Sequence, residues 1–429
     1  MESYKKTNLP LVFLFRNFPF LPSFKETFSN KFHSFTTLES PQAQSVKAII
    51  CSPIRPLTSQ TLQSLPSLEL VLTTSVGIDH IDIAECRRRG ISVTNAGTVF
   101  TEDVADYGVG LLIDVLRRVS VGDRYMRGGN WATMGEAPLG SKDSDLPIHE
   151  FLKTHAQSVR VLLCLGPAPL DCEALMCLPS LECIVGSSAG VNHIDLVECK
   201  RRGIAVTNAG SVFSEDVADY AVGMLIDVLR RVSAADRYVR SGLWSLKGEY
   251  PLGHKVWGKR VGIIGLGSIG SQVAKRLEAF GCIISYNSRN KKLSVCYPYF
   301  ANVHELAANS DVLIATCALT EKTYHIINKD VLLALGKEGV VINVGRGALI
   351  DEKELVRSLV QGEIGGAGLD VFENEPNVPK ELFELDNVVL SPHKAVLTLE
   401  SFSDLHELII ANLDAFFSNK PLLTPVKLE

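Results

Sequence analysis

The sequence has no excess of positive charge. It holds 43 lysines and arginines against 48 aspartates and glutamates, which gives a formal net charge of −5 at pH 7. Proteins that bind nucleic acid usually carry a basic balance, so we expect no nucleic-acid partner. The sequence also lacks an apolar run near the ~20 residues that a membrane-spanning helix requires, so we expect no membrane association.

The cysteines lack the spacing of a metal site or of a disulfide framework. None of the ten cysteines forms a Cys-x-x-Cys pair, and the densest group is spaced irregularly, at Cys164, Cys172, Cys177 and Cys183. Such spacing favours reduced, partly buried thiols. We therefore expect no bound metal and no disulfide network.

The amino-terminal residues leave the localisation open between two compartments. The stretch LPLVFLF, residues 9–15, is too short to span a membrane and predicts a buried strand. The first 40 residues are basic and rich in serine, threonine and phenylalanine, a composition compatible with a plastid transit peptide. We expect a cytoplasmic protein, with the chloroplast as the alternative.

A long segment occurs twice in the chain. Residues 43–142 recur without gaps as residues 156–255, at an offset of 113 residues. Each copy contains two short apolar strands and then a helix whose apolar residues recur every three or four positions. A unit of this length is too large for a solenoid repeat, so we interpret the first copy as a duplicated part of a larger domain.

After Lys255 the pattern changes to alternating strands and helices. The strands RVGIIGLG, CIISYN, DVLIATC, VVINVG, GAGLDVF and NVVLSP are apolar without polar alternation. Strands of this kind are buried on both faces, which predicts a parallel sheet covered by helices. The predicted fold class is therefore α/β, with a doubly wound parallel sheet.

The first strand of this region leads into a glycine-rich turn. VGIIGLGSIG places Gly265, Gly267 and Gly270 between a strand and a helix that starts near Ser268 and Ile269. Gly265 permits a tight turn, Gly267 lets a pyrophosphate approach, and Gly270 allows close packing of helix on sheet. The pattern predicts a dinucleotide site at the helix N-terminus.

The end of the next strand predicts which dinucleotide is bound. An acidic residue there would bind the ribose 2′-hydroxyl of NAD, but ISYNSRNKK offers Ser288 and Arg289 followed by two lysines. Cationic and hydroxyl groups suit a 2′-phosphate. We predict NADP, with weaker use of NAD; the alternative is an exposed basic loop.

Four further polar residues follow apolar strands, and they are Arg346, Asp370, Glu375 and His393. In an open α/β sheet, ligands bind outside the carboxyl ends of the strands. An arginine can hold a carboxylate by two hydrogen bonds, and a histidine beside a carboxylate can stay protonated and act as a general acid. Each residue alone also fits a structural role. With a dinucleotide site, the set predicts hydride transfer to a carbonyl next to a carboxylate.

Residues 156–429 resemble the D-isomer-specific 2-hydroxyacid dehydrogenase family in the motifs GLGSIG, SYNSRNKK, NVGRG, GAGLDVFENEP and SPHKA. Within it they are similar to plant NADP-dependent glyoxylate/hydroxypyruvate and hydroxyphenylpyruvate reductases. The resemblance implies a Rossmann domain inserted into a flavodoxin-like substrate domain. We predict a partial extra copy of the substrate domain with a dimerisation helix (1–142), a spacer (143–157), a substrate-binding domain (158–209 with 394–429) and an NADP-binding domain (210–393).

The resemblance also implies roles for single residues. The family's catalytic arginine, glutamate and histidine fall on Arg346, Glu375 and His393, and its acid near the nicotinamide falls on Asp370. Arg346 is also implied to bind the substrate.

Two further substrate contacts and an assembly are implied in the same way. The backbone N–H groups of Ala189 and Gly190 are implied to hold the substrate carboxylate. In relatives, an arm after the dimerisation helix reaches the neighbouring subunit, which makes Trp244 a candidate substrate contact and implies a homodimer.

The predicted function is NADPH-dependent reduction of small 2-oxo acids to D-2-hydroxy acids, the candidates being glyoxylate, hydroxypyruvate and hydroxyphenylpyruvate. The four motifs GLGSIG, NVGRG, ENEP and SPHKA each occur once, after the second copy, so one catalytic site is predicted. Two alternatives stay open: a non-catalytic, corepressor-like protein that senses NAD(P), and a fusion product with impaired activity. The extra copy is expected to block dimerisation or to satisfy it within one chain.

Overall fold

The computed structural model of the chain describes residues 9–15, 22–52, 55–129, 131, 152–153, 156–165 and 169–427. The chain forms two compact units, Met1–Val104 and Ala105–Glu429. The predicted spacer lies outside the described residues except for positions 152–153 and 156–157. The unit boundary falls within a helix of the first copy, and the four predicted domain ranges stay a prediction.

The first unit is built on a parallel sheet with the strand order β2-β1-β3-β4-β5. Its strands are β1 Leu11–Leu14, β2 His33–Phe35, β3 Ala48–Cys51, β4 Leu70–Thr73 and β5 Ser92–Thr94. Its helices are α1 Pro22–Lys31, α2 Ser59–Gln63 and α3 Ile83–Arg88. The side chains of Phe13, Ile49, Leu62 and Val71 are buried in its core.

The second unit contains two parallel sheets in the described residues, with the orders β6-β7-β8 and β10-β9-β11-β12-β13-β14. The smaller sheet comprises β6 Val161–Cys164, β7 Cys183–Gly186 and β8 Ala205–Thr207. The larger comprises β9 Arg260–Ile264, β10 Ile283–Asn287, β11 Val312–Ala315, β12 Val340–Asn343, β13 Gly366–Leu369 and β14 Val388–Leu390. The predicted α/β class with a doubly wound parallel sheet is confirmed.

Helices surround these sheets. α4 Thr101–Arg117 crosses the boundary between the units, and α5 Val119–Arg127 follows it. The remaining helices are α6 Cys172–Met176, α7 Leu196–Arg202, α8 Ser214–Arg230, α9 Val232–Arg240, α10 Leu243–Lys247, α11 Ser268–Ala279, α12 Val303–Ala308, α13 Lys329–Leu335, α14 Glu352–Val360 and α15 Leu399–Phe417. Asp351 caps the first turn of α14, where its side chain accepts a hydrogen bond from the N–H of Glu354.

The repeated segment has the same local structure in both places. Strands β3, β4 and β5 and helices α2 to α5 each recur 113 residues later as β6, β7, β8 and α6 to α9. The strand predicted from LPLVFLF forms as β1 and pairs with β3 in the first copy. The sheet of the second copy has three strands in the described residues, and β1 belongs to the sheet of the first copy.

The two long helices of the repeat lie in different surroundings. The apolar face of α8 is buried because it packs on the larger sheet, where strand glycines allow close approach: a Cβ on Gly368 would lie 3.2 Å from the Cβ of Met224. The equivalent residues of α4, Leu111, Leu112, Val115 and Leu116, are exposed. One sequence pattern therefore forms a core helix in one copy and a surface helix in the other.

None of the helices in the described part of the chain combines the length and apolar character that crossing a membrane demands. All ten cysteines lie in that part, and each is a free thiol. Among the same residues, no group of three or more histidine, cysteine, aspartate or glutamate side chains is arranged to hold a metal ion.

The repeat offers a matched pair of substitutions. Leu225 is 0% exposed and its counterpart Leu112 is 56% exposed. We expect Leu225→Ala to lower the free energy of unfolding by about 2–5 kcal/mol, because it leaves a cavity. Leu112→Ala should change it by less than about 0.5 kcal/mol. Denaturant unfolding measures both; equal losses would contradict the packing of α8.

Candidate active site

The carboxyl ends of the larger sheet carry the polar residues that the sequence singles out. Gly265 follows β9, Ser288 follows β10, Arg346 follows β12, Asp370 follows β13 and His393 follows β14. The strands are parallel, so these residues lie along one edge of the sheet. The strand order reverses at β9, which is where α/β folds bind ligands.

At two positions of the turn after β9, close packing leaves room for glycine alone. Gly265 has a φ of +98°, and a Cβ there would lie 2.6 Å from the main-chain N and Cα of Cys317. A Cβ on Gly270 would collide with the carbonyl oxygen of Gly265 and lie 2.8 Å from Thr316 Oγ1. The Thr316 hydroxyl donates a hydrogen bond of 2.7 Å to the Gly265 carbonyl and fixes the turn against β11.

The third glycine leaves space for a ligand. Nothing lies within 4 Å of a Cβ built on Gly267, which is the N-cap of the twelve-residue helix α11. Ser268 is exposed and Ile269 half-buried in the first turn of this helix. The free N–H groups and the positive dipole end of α11 can therefore receive a phosphate group.

The loop after β10 holds Ser288 and Arg289 beside this turn. The hydroxyl of Tyr286 accepts a hydrogen bond of 2.8 Å from the N–H of Lys292, which closes the loop back on its strand. The Ser288 hydroxyl donates to the Asn290 carbonyl at 2.7 Å, and Arg289 is exposed. Arg289, Lys291 and Lys292 give the loop a cationic character suited to a 2′-phosphate.

The guanidinium of Arg346 lies against the loop after β7. A Cβ on Gly190 would collide with Arg346 Nη2, so the two predicted substrate contacts are adjacent. Arg346 donates from Nη1 to the Gly345 carbonyl at 2.7 Å and from Nε to Asn192 Oδ1 at 3.4 Å. These bonds aim the guanidinium at Gly190.

The loop that contains Ala189 and Gly190 is held from β8. The Asn208 side chain donates to the Ala189 carbonyl at 2.9 Å, and the Ala209 N–H donates to the Ser188 carbonyl at 3.0 Å. Within the described residues, the N–H groups of Ala189 and Gly190 make no hydrogen bond to the protein. They are available to a carboxylate beside Arg346.

His393 and Glu375 form a hydrogen-bonded pair. The ring Nδ1 of His393 lies 2.8 Å from Glu375 Oε2, to which it donates. The other carboxylate oxygen, Oε1, accepts from the Phe372 N–H at 3.0 Å. Glu375 is thus fixed at both oxygens, and the Nε2 face of the imidazole is directed away from this pair.

The pair raises the pKa of His393. Burial of the ring lowers its pKa, but the hydrogen bond and charge of Glu375 raise it, with a smaller contribution from the charge of Asp370. The charge of Arg346 acts in the opposite direction, and the net pKa lies above the ordinary value of 6.5. A larger fraction of His393 is therefore protonated at neutral pH, as a general acid requires.

Asp370 is buried and supports the His393 loop. Its carboxylate accepts from the Ser391 hydroxyl, from the Lys394 N–H at 2.9 Å and from the Ala395 N–H at 3.1 Å. Its carbonyl accepts from the His393 N–H at 2.8 Å. Asp370 therefore fixes the chain on both sides of His393.

The structure does not bring Trp244 to these residues; its side chain is 65% exposed. The equivalent tryptophan of the first copy, Trp131, is 8% exposed and packs on Phe372 with ring centroids 5.8 Å apart. Since the Phe372 N–H binds Glu375, Trp131 lies next to the histidine pair.

Reasoning from the sequence missed several residues of this site. Asn192 binds Arg346, and Tyr220 donates to Ser391 at 2.8 Å, which in turn binds Asp370. A signal for Asn192 exists, because the first copy has Asp79 at the equivalent position. A carboxylate there would compete with a substrate carboxylate for Arg346.

Comparison with known proteins gives two family matches. The model of the NAD-binding domain of the D-isomer-specific 2-hydroxyacid dehydrogenase family matches residues 222–395. The model of the catalytic domain of the same family matches residues 18–138, which include most of the first copy.

Curated relatives and solved structures agree with these matches. A glyoxylate/hydroxypyruvate reductase of Arabidopsis thaliana is 61% identical over 67% of this chain and 89% of its own length. A hydroxyphenylpyruvate reductase of Plectranthus scutellarioides is 51% identical over 65% and 88%. The structure of an NADPH-dependent glyoxylate/hydroxypyruvate reductase of Sinorhizobium meliloti, in complex with NADP and malonate, is 40% identical, with a TM-score of 0.61 over 63% of this chain and 84% of that one.

Two glycines of the turn after β9 should respond differently to a methyl group. Gly265→Ala should lower the free energy of unfolding by about 1–3 kcal/mol, because of its positive φ and the contact with Cys317. Gly267→Ala should change it by less than about 0.5 kcal/mol. Denaturant unfolding without added ligand compares them; similar stability of the two variants would contradict this geometry.

Proposed function

Because the chain belongs to the D-isomer-specific 2-hydroxyacid dehydrogenase family, we propose that it reduces small 2-oxo acids to D-2-hydroxy acids with NADPH. One observation carries the proposal: Arg346 and the His393–Glu375 pair lie at the same edge of the sheet as the dinucleotide turn. Glyoxylate, hydroxypyruvate and hydroxyphenylpyruvate are the candidate substrates. The family relatives are reductases, so the alternative of a non-catalytic NAD(P) sensor has no support.

The residues of the turn and the following loop fit NADP. The open position at Gly267 and the N-terminus of α11 would receive the pyrophosphate, and Ser288 and Arg289 would bind the 2′-phosphate. NAD, which lacks that phosphate, would bind less tightly. NADPH supplies the hydride of the reaction.

Arg346 and the loop after β7 orient the substrate. The guanidinium lies beside Gly190, and together with the N–H groups of Ala189 and Gly190 it would hold the substrate carboxylate. This arrangement fixes the carbonyl next to that carboxylate and lowers the entropic cost of the reaction.

His393 supplies the proton. Its imidazolium donates a proton to the carbonyl oxygen as negative charge develops there. Glu375 holds the ring by Nδ1 and stabilises its positive charge, and Asp370 fixes the loop that carries it. After transfer the imidazole is neutral, and it regains its proton from solvent.

The first experiment is a steady-state comparison of glyoxylate, hydroxypyruvate and hydroxyphenylpyruvate with NADPH and with NADH. We expect oxidation of NADPH, a lower kcat/KM with NADH, and a loss of at least about 100-fold in kcat for His393→Ala. His406→Ala, on the exposed side of α15, is the control. Unchanged turnover of His393→Ala would contradict the mechanism, and an inactive wild type would favour an impaired fusion product.

The pH dependence tests the histidine pair. Reduction requires protonated His393, so kcat/KM should fall as pH rises through a pKa above 6.5. Glu375→Gln removes the charge that raises this pKa, so the fall should move to lower pH. Glu373→Gln removes a carboxylate that contacts His325 and not His393, so it should shift the pH at which kcat/KM falls by less. A pH profile that is the same in all three proteins would exclude His393 as the titrating acid.

A further inference from the structure

Ion pairs between the two copies are exchanged about a two-fold relation. Asp123 of α5 pairs with Arg237 of α9, and Arg124 of α5 pairs with Asp236 of α9. Asp236 and Arg237 are the residues 113 positions after Asp123 and Arg124. Asp123 therefore pairs with the repeat of Arg124, and Arg124 pairs with the repeat of Asp123.

The aromatic contacts follow the same rule. The guanidinium of Arg117 lies 5.5 Å from the ring centroid of Tyr220, and that of Arg230 lies 5.4 Å from the ring centroid of Tyr107. Tyr220 and Arg230 are the repeats of Tyr107 and Arg117.

Two glycine contacts complete the pattern. A Cβ on Gly110 would lie 3.5 Å from the Cβ of Ile226, and a Cβ on Gly223 would lie 3.6 Å from the Cβ of Ile113. Exchanged contacts of this kind define an isologous, two-fold interface. Residues 105–131 thus occupy, within one chain, the place of a second copy of residues 218–244.

The first copy makes additional contacts with the strand that precedes His393. The buried carboxylate of Asp123 accepts a hydrogen bond of 3.2 Å from the N–H of Leu390, at the end of β14. Arg127 donates to the carbonyl of Leu385 at 3.1 Å and to that of Val388 at 2.5 Å. The end of β14 is therefore held by α5.

The residues that follow His393 are held by the same segment. The Lys394 ammonium donates to the Arg118 carbonyl at 2.8 Å, and Arg117 donates to the Ala395 carbonyl at 2.7 Å. Gly122 is in contact with this lysine: a Cβ on it would lie 3.0 Å from Lys394 Cε. The first copy therefore holds residues on both sides of His393 and, through Trp131, the residue whose N–H binds Glu375.

Most of these residues recur in the second copy, but the structure shows no such contacts for them within the residues it describes. Arg240, the repeat of Arg127, is 66% exposed in its side chain, and Trp244 is exposed. The sequences differ where the roles differ, since Gly122 is replaced by Ala235 and the buried Met126 by the exposed Val239.

We propose that residues 105–131 act in cis as the second half of this two-fold interface and position His393 and Glu375. The chain then works as a monomer with one complete site, in place of the homodimer that the family resemblance implies. The 24 residues between Trp131 and Ala156 can span about 80 Å, which is long enough for both copies of one chain to meet at this interface. The catalytic part of the proposal rests on the proposed function, whereas the cis interface does not.

Cross-linking of the full-length chain tests the cis interface. Gly110→Cys with Ile226→Cys places two thiols at the Cβ separation of a disulfide, about 3.5–4.5 Å. After mild oxidation, we expect loss of two free thiols and a band of monomer mass on a non-reducing gel. Light scattering of the unmodified chain should also give the monomer mass.

The symmetry-related pair Ile113→Cys with Gly223→Cys should give the same result, and each single cysteine variant should give no cross-link. A covalent dimer with the double variants would show that the interface forms between two chains and would overturn the proposal. Failure of both double variants to cross-link, with wild-type circular dichroism, would also overturn it.

Arg127 and Arg240 form a matched pair for the positioning role. Arg127→Met should lower kcat about tenfold and shift the pH profile of kcat/KM, because the end of β14 and His393 would move. The KM for NADPH should change less than about twofold. Arg240→Met should leave all three quantities unchanged. Equal effects of the two variants, or an Arg127→Met loss without a change in the pH profile, would remove the positioning role.

The two proposals fail in distinguishable ways. If the wild type oxidises no NADPH with any of the three 2-oxo acids, the proposed function fails, while the cross-link still reports on the interface. If the wild type is active and the cross-link joins two chains, the cis interface alone fails.

Discussion

The carboxylate of Asp123 connects three parts of the second unit. It is completely buried, pairs with Arg127 in its own helix and Arg237 in α9, and accepts a hydrogen bond from the N–H of Leu390 in β14. A buried charge without partners costs several kcal/mol. The first copy, the second copy and the strand before the catalytic histidine therefore have to assemble around this one group.

Much of this architecture follows from the sequence. Apolar strands without alternation predict the parallel sheet, and the glycine spacing predicts the turn at Gly265. Arg346, Glu375 and His393 are predicted because parallel strands bring their carboxyl ends to one edge. The buried strand within residues 9–15 is also predicted, whereas its pairing with β3 is seen only in the structure.

The rest depends on tertiary context that a single sequence does not carry. Trp131 and Trp244 lie in similar sequence, so no local pattern distinguishes the buried one from the exposed one. The same holds for Leu112 and Leu225, whose exposure depends on whether a Rossmann sheet follows in the chain. Asn192 and Ser391 are ordinary polar residues until the fold brings them to Arg346 and Asp370.

The exchanged contacts have a consequence for how this interface can evolve. In a homodimer every mutation falls on both sides of a two-fold interface at once, so a change that helps one side must be tolerated on the other. Here the two sides are encoded separately, and each can adapt to its own neighbours. Gly122 beneath Lys394 and Ala235 at the equivalent position already differ in this way. Selection can therefore act on α5 as a dedicated part of one active site, independently of α9.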